Sequence, residues 1–155
     1  MMLLKEKYGL TPDTGKSTSS LIEWYNSVIN KSEDELNEGD IARIIRQTGI
    51  FHGEIQEFAT NRAIEMISND PQSGEMYEGE LLRSLTGILE ETNNISSLQK
   101  FINLKENIEK WRDKKWENLS SIEDKYERKE IKHQRDEFNE IFDNFSKNLN
   151  SKSKK

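Results

Sequence analysis

Gly39-Asp40-Ile41-Ala42-Arg43-Ile44-Ile45-Arg46-Gln47 and, farther on, Asp70-Pro71-Gln72-Ser73-Gly74-Glu75-Met76-Tyr77-Glu78-Gly79-Glu80-Leu81-Leu82 decide the fold class. The first run places Ile41, Ile44 and Ile45 on one face of a helix, because residues three and four apart stack along the axis. Asn37 is a good N-cap type, and Asp40 three residues later lies near the positive end of the helix. Thr48-Gly49 supplies a stop. The second run opens with a helix breaker, since proline biases Asp70 away from the α region. Gln72-Ser73-Gly74 continues that turn. A helix from about Met76 to Glu90 follows, with Tyr77, Leu81, Leu82, Leu85, Ile88 and Leu89 inward.

Working outward, the same period recurs on both sides. Leu21, Trp24, Tyr25, Val28 and Ile29 form one helical face, with Ser19 or Ser20 as its cap. Ile55, Phe58, Ala59, Ala63, Met66 and Ile67 give a stripe from about Phe51 to Ser68. Beyond a break at Thr92-Asn93-Asn94, Leu98, Phe101, Ile102, Leu104, Ile108 and Trp111 predict another helix, extendable through Trp116. Ser120 and Ser121 are cap candidates for a long last helix. Its stripe is Leu119, Ile122, Tyr126, Ile131, Phe138, Ile141, Phe142, Phe145 and Leu149. No period-2 strand pattern occurs, and neither proline lies within a stripe. These signals predict an all-α, single-domain irregular bundle of five to seven helices with a long C-terminal helix. Residues 1–18 read as an irregular lead-in, 19–150 as the helical domain and 151–155 as a frayed basic tail.

Composition narrows the function. Apolar residues make up 32% and charged residues 34%, which implies a small core under solvated faces. Absence of cysteine excludes disulfides, thiolate metal sites and cysteine nucleophiles. Met1-Met2-Leu3-Leu4 runs at once into Lys5, Glu6 and Lys7, so no signal-peptide core is expected. No run approaches a membrane span. A cytoplasmic protein without membrane association is the expectation. The net charge of −6 is unevenly distributed. Lys31–Ile95 carries 5 Lys+Arg against 14 Asp+Glu, a net of −9, whereas Ser96–Lys155 carries 15 against 12, a net of +3. An acidic middle argues against a nucleic-acid partner and for a cationic one.

Asp70, Glu75, Glu78 and Glu80 gather four carboxylates around a turn. Each can serve a helix start, where negative charge is favourable. Together, on a loop and first turn marked by Gly74 and Gly79, they suit a partner's Lys and Arg side chains. Arg43 and Arg46 share a helix face. They read either as an anion site or, preferably, as internal partners of acids in the Asp70–Glu80 turn. Glu130 and His133 have the Glu-x-x-His spacing of carboxylate metal bundles, but no second such motif exists, and His52 stands alone. No metal or other cofactor is expected. Trp24, Trp111 and Trp116 read as core residues. Trp116 is the exception to watch, because Arg112-Asp113-Lys114-Lys115-Trp116-Glu117 weakens the apolar period. No phosphate-binding loop, zinc motif or nucleophile elbow occurs, so no catalytic residue is nominated.

Leu36 followed by Gly39-Asp40-Ile41-Ala42-Arg43-Ile44-Ile45-Arg46-Gln47 resembles a run found in contact-dependent growth inhibition (CDI) immunity proteins (CdiI). Asp70-Pro71, Gly74-Glu75, Tyr77 and Gly79-Glu80-Leu81-Leu82 resemble that family's second run, in the right order over roughly residues 36–85. The resemblance implies a non-enzymatic cytoplasmic antidote. Such proteins bind the C-terminal toxin domain of a cognate cell-surface effector (CdiA) delivered by a neighbouring cell. Many of these toxins are nucleases with basic clefts, often acting on tRNA, and a 1:1 complex is expected. Asp40, Arg43, Arg46, Gln47, Pro71, Gly74, Tyr77 and Gly79 are then scaffold marks. Asp70, Glu75, Glu78, Glu80 and Trp116 are toxin-facing candidates. A different reading makes the last helix a coiled coil in an assembly protein, although its stripe shows no steady heptads.

Overall fold

Asn37 caps its helix as the sequence predicts. Its side chain accepts the Asp40 N–H at 2.8 Å, and Asp40 returns the bond from the Asn37 N–H at 3.3 Å. Such caps are worth about 1 kcal/mol. The computed structural model describes residues 2–15, 19–91 and 98–153. Among these, seven α-helices follow in order: α1 (Leu4–Lys7), α2 (Ser20–Val28), α3 (Glu38–Arg46), α4 (Glu54–Asn69), α5 (Glu80–Glu91), α6 (Leu98–Lys115) and α7 (Lys125–Ser153). The chain is all-α. Among the described residues the sole β pairing is an isolated bridge between Leu3 and Ser32.

Helix α3 is the hub. Ile41 and Ile44 are fully buried and Ile45 nearly so, and α3 packs on both α4 and α5. Helix α4 contributes Ile55, Ala59, Ala63 and Ile67, and α5 contributes Leu81, Leu82, Leu85 and Leu89. Helix α7 lies mainly along α5, burying Phe138, Phe142, Phe145 and Leu149. The Phe138–Leu149 part of its apolar stripe is thus covered by this chain's own helices and is not free to form a coiled-coil seam. Rings continue the packing into α6: Trp111 meets Phe138 edge-on at 5.2 Å, and Phe101 meets Phe145 at 6.3 Å.

Several boundaries differ from the sequence reading. The lead-in contains the single turn α1. There the Leu4 N–H donates to the Lys31 carbonyl at 2.8 Å, and the Leu4 side chain is fully buried. Ser19 caps α2 through the Ile22 N–H, but α7 is capped by Asp124 rather than Ser120 or Ser121. Those serines occupy a 3-10 turn, Leu119–Ser121. Tyr126 is 85% exposed because, at 3.6 residues per turn, it falls about 120° around α7 from the buried Phe138 stripe. Helix α7 runs to Ser153, into the segment read as tail, while Lys154 and Lys155 lie outside the described residues. The break at Thr92-Asn93-Asn94 also lies outside them.

Candidate functional site

The largest correction concerns residues 74–79. The periodicity predicts a helix from Met76, but α5 starts at Glu80 and the preceding residues form an ordered loop. Gly79 has φ +86°, and a Cβ there would sit 2.9 Å from Ile141 Cδ1 of α7. The residue therefore interrupts the helix and admits α7 at the same place. Gly74 is as constrained, since a Cβ would overlap the Tyr77 carbonyl oxygen. The loop closes on its own backbone: the Gly79 N–H donates to Gln72 O at 2.9 Å and the Leu81 N–H to Ser73 O at 3.2 Å. Asp70, at the end of α4, accepts the Gln72 N–H at 3.1 Å through its side chain, and Pro71 is buried beneath the turn.

Glu80 holds this loop from inside. It is only 2% exposed, so it leaves the toxin-facing set and joins the scaffold. Its Oε1 accepts the N–H groups of Glu75 at 2.9 Å and Met76 at 3.2 Å. Its Oε2 accepts from Arg46 Nη1 at 3.3 Å, and the same Nη1 reaches Ser84 Oγ at 3.4 Å. A buried carboxylate needs this set of donors to offset its lost hydration. Glu38 adds a tie from α3 by accepting the Gly74 N–H at 2.9 Å. Arg46 thus pairs internally with the turn, as preferred from sequence. Arg43 does something else: its guanidinium lies 5.5 Å from the Trp24 ring. Gln47 acts through its backbone, its carbonyl accepting the N–H groups of Ile50 and Phe51.

Asp40 is the second buried acid, 5% exposed. It accepts from Trp24 Nε1 at 3.0 Å and Lys31 Nζ at 2.9 Å. Burial alone would raise its carboxyl. The Lys31 ammonium, the indole N–H and the Asn37 amide together hold it below the usual carboxylate range.

With Glu80 inside, Glu75, Met76, Tyr77 and Glu78 form the exposed tip of the loop. Met76 is 71% and Tyr77 40% exposed, so Tyr77 faces solvent rather than the core. The Arg83 guanidinium lies over the Tyr77 ring at 5.5 Å. Between this tip and α7 runs a groove of about 480 Å³, with Phe138 and Ile141 among its apolar lining and Glu78, Glu137 and Glu140 among its acids. Sequence reasoning omitted Glu137 and Glu140 because nothing local distinguishes them from other solvated helix acids.

Trp116 occupies a different place. It packs edge-on against Trp111 at 5.4 Å and tilted against Phe138 at 5.8 Å, with the Lys115 ammonium over both indoles. Its remaining edge borders a second groove of about 570 Å³ lined by Lys125, Arg128, Lys129, Lys132 and Arg135. At 3.6 residues per turn, this basic set and the Glu137–Ile141 set project from opposite flanks of the α7 buried stripe. The structure therefore separates Trp116 from the acidic tip. Among the described residues, no group of three or more His, Cys, Asp and Glu is placed to hold a metal, and no helix is long and apolar enough to cross a membrane.

A protein-family model described as CDI immunity proteins matches residues 8–108, from the N-terminal segment into α6. No curated protein and no solved structure matches the chain.

Proposed function

The chain belongs to the CDI immunity protein family, and from that premise we propose that it binds and neutralises the C-terminal toxin domain of a cognate effector, a basic nuclease, in the cytoplasm of the producing cell. It works by occupying a surface rather than by catalysis, as one copy per toxin domain. The observation that carries this reading is the acidic loop tip: Glu75 and Glu78 are exposed on a loop whose backbone is tied down by Glu38 and Glu80. A loop already ordered loses little conformational freedom on binding, so more of its contact energy appears as affinity. Its charge complements a cleft built to hold nucleic-acid phosphates.

The test is co-expression with the C-terminal domain of the effector encoded beside this chain's gene. Protection of the host, a 1:1 complex by light scattering and loss of the toxin's RNA or DNA cleavage are the expected results. Growth arrest despite co-expression, with no complex formed, overturns the proposal. A complex with a toxin that cuts no nucleic acid overturns its nuclease part alone. Charge steering also predicts an association rate that falls steeply as salt rises.

A further inference from the structure

We infer that the toxin docks in the groove between the 75–78 loop tip and α7, seating an apolar side chain flanked by Lys or Arg. This rests on the toxin-binding reading above and adds where the contact lies and what it recognises. The groove has the layout of a recognition site, an apolar floor under a charged rim. Phe138, 2% exposed, and the half-buried Ile141 lie at its base. Glu78, Glu137 and Glu140 line it with carboxylates. Glu78 accepts from Gln72 Nε2 at 3.0 Å and Glu137 lies 3.0 Å from His133 Nε2, yet each engages one oxygen there and the Glu137 side chain is still 66% exposed. Its one Lys or Arg, Arg83, is engaged over Tyr77.

Met76 and Tyr77 stand beside this groove as the exposed apolar residues of the loop. An aromatic held by a cation and a fixed backbone is the kind of anchor that carries a large share of interface energy. The other groove bears five Lys and Arg side chains against Glu117 and would repel a basic partner. Charge thus selects one flank of α7 over the other.

The groove is also composite. Tyr77, Glu78 and Arg83 lie within residues 8–108, which the family model matches, whereas Gln134, Glu137, Glu140 and Ile141 lie beyond them. The loop wall anchors the toxin. The α7 wall sets which toxin is accepted, through Gln134, Glu137 and Glu140.

The experiment measures binding of the full chain to the neighbouring effector's C-terminal domain by interferometry. Three variants are compared with the unsubstituted chain: Tyr77→Ala, Glu137→Lys/Glu140→Lys, and Lys125→Glu/Lys129→Glu/Lys132→Glu. All alter exposed side chains, and thermal melts establish that each remains folded. We expect Tyr77→Ala to weaken binding roughly tenfold or more and the α7 acid reversal by at least as much. The lysine reversal should not weaken binding, and any change it makes should be a faster association from the added negative charge. Loss of binding confined to the lysine variant, or no loss in the first two, overturns this docking surface while leaving toxin binding intact. Failure of the unsubstituted chain to bind overturns the toxin reading itself, and the surface with it.

Discussion

The two flanks of α7 use charge in opposite ways. On the acidic flank, the loop between α4 and α5 is knit to the core by Glu80, Arg46 and Glu38, and its exposed carboxylates stand on a fixed backbone. On the basic flank, Lys125, Lys129 and Lys132 have no ion-pair partner among the described residues and project from a plain helix. A solvated lysine face requires nothing beneath it. A loop tip kept in one shape requires buried polar groups with partners. Glu80 meets that requirement, while the buried Ser73 Oγ in the same loop has no hydrogen-bond partner among the described residues, and the Glu80 contacts make the acidic flank costly to alter.

The largest effect should come from removing what separates the flanks. Phe138 borders the acidic groove and contacts Trp111, Trp116 and Phe142. Phe138→Ala should cost about 3–5 kcal/mol, read as the shift in a urea unfolding midpoint. A cost below about 1 kcal/mol would show that the ring cluster contributes little to seating α7.

Next comes the buried acid of the loop. Glu80→Ala leaves the Glu75 and Met76 N–H groups without their acceptor. It should cost roughly 2–4 kcal/mol, with faster amide exchange at residues 74–79. Unchanged exchange there would break the comparison, because the loop would then hold its shape without its anchor.

Asp40 tests the same principle away from the groove. Its folded carboxyl is held below its ordinary value, so its contribution is present above the unfolded pKa of about 3.9 and is lost as pH falls through the lower folded value. Asp40→Asn should cost about 1–3 kcal/mol at pH 7 and flatten the acid limb of the stability profile. An acid limb as steep as that of the unsubstituted chain would assign acid sensitivity to other carboxylates.

The smallest effect belongs to the basic flank. Lys125→Glu/Lys129→Glu/Lys132→Glu should change stability by about 0.5 kcal/mol or less. A larger loss, by the same urea titration, would mean that this flank is as structurally committed as the other.

Much of this organisation is legible in the chain. Apolar residues three and four apart locate α2, α3, α4, α6 and α7, and Asn37 with Asp40 marks one helix start to the residue. The acidic turn and its glycines were visible too. Residues 76–79 carry a false helical signal for a definite reason: Tyr77 falls in register with Leu81 and Leu85, which extends the apolar period one turn ahead of the helix itself. Nothing local distinguishes Glu80 from Glu78, yet one is buried and the other exposed. The difference comes from Arg46, brought to Glu80 only when α3 packs on α5.

The sequence by itself determined the all-α class, most helix positions, the family runs and the acidic character of the middle segment. Those properties depend on periodicity, caps and composition, which are local. Tertiary structure alone decided which carboxylates face inward, where α7 lies and that its flanks carry opposite charge above separate grooves. Burial and pairing depend on which distant residues meet, and here the approach of Ile141 to Gly79 and of Arg46 to Glu80 sets both.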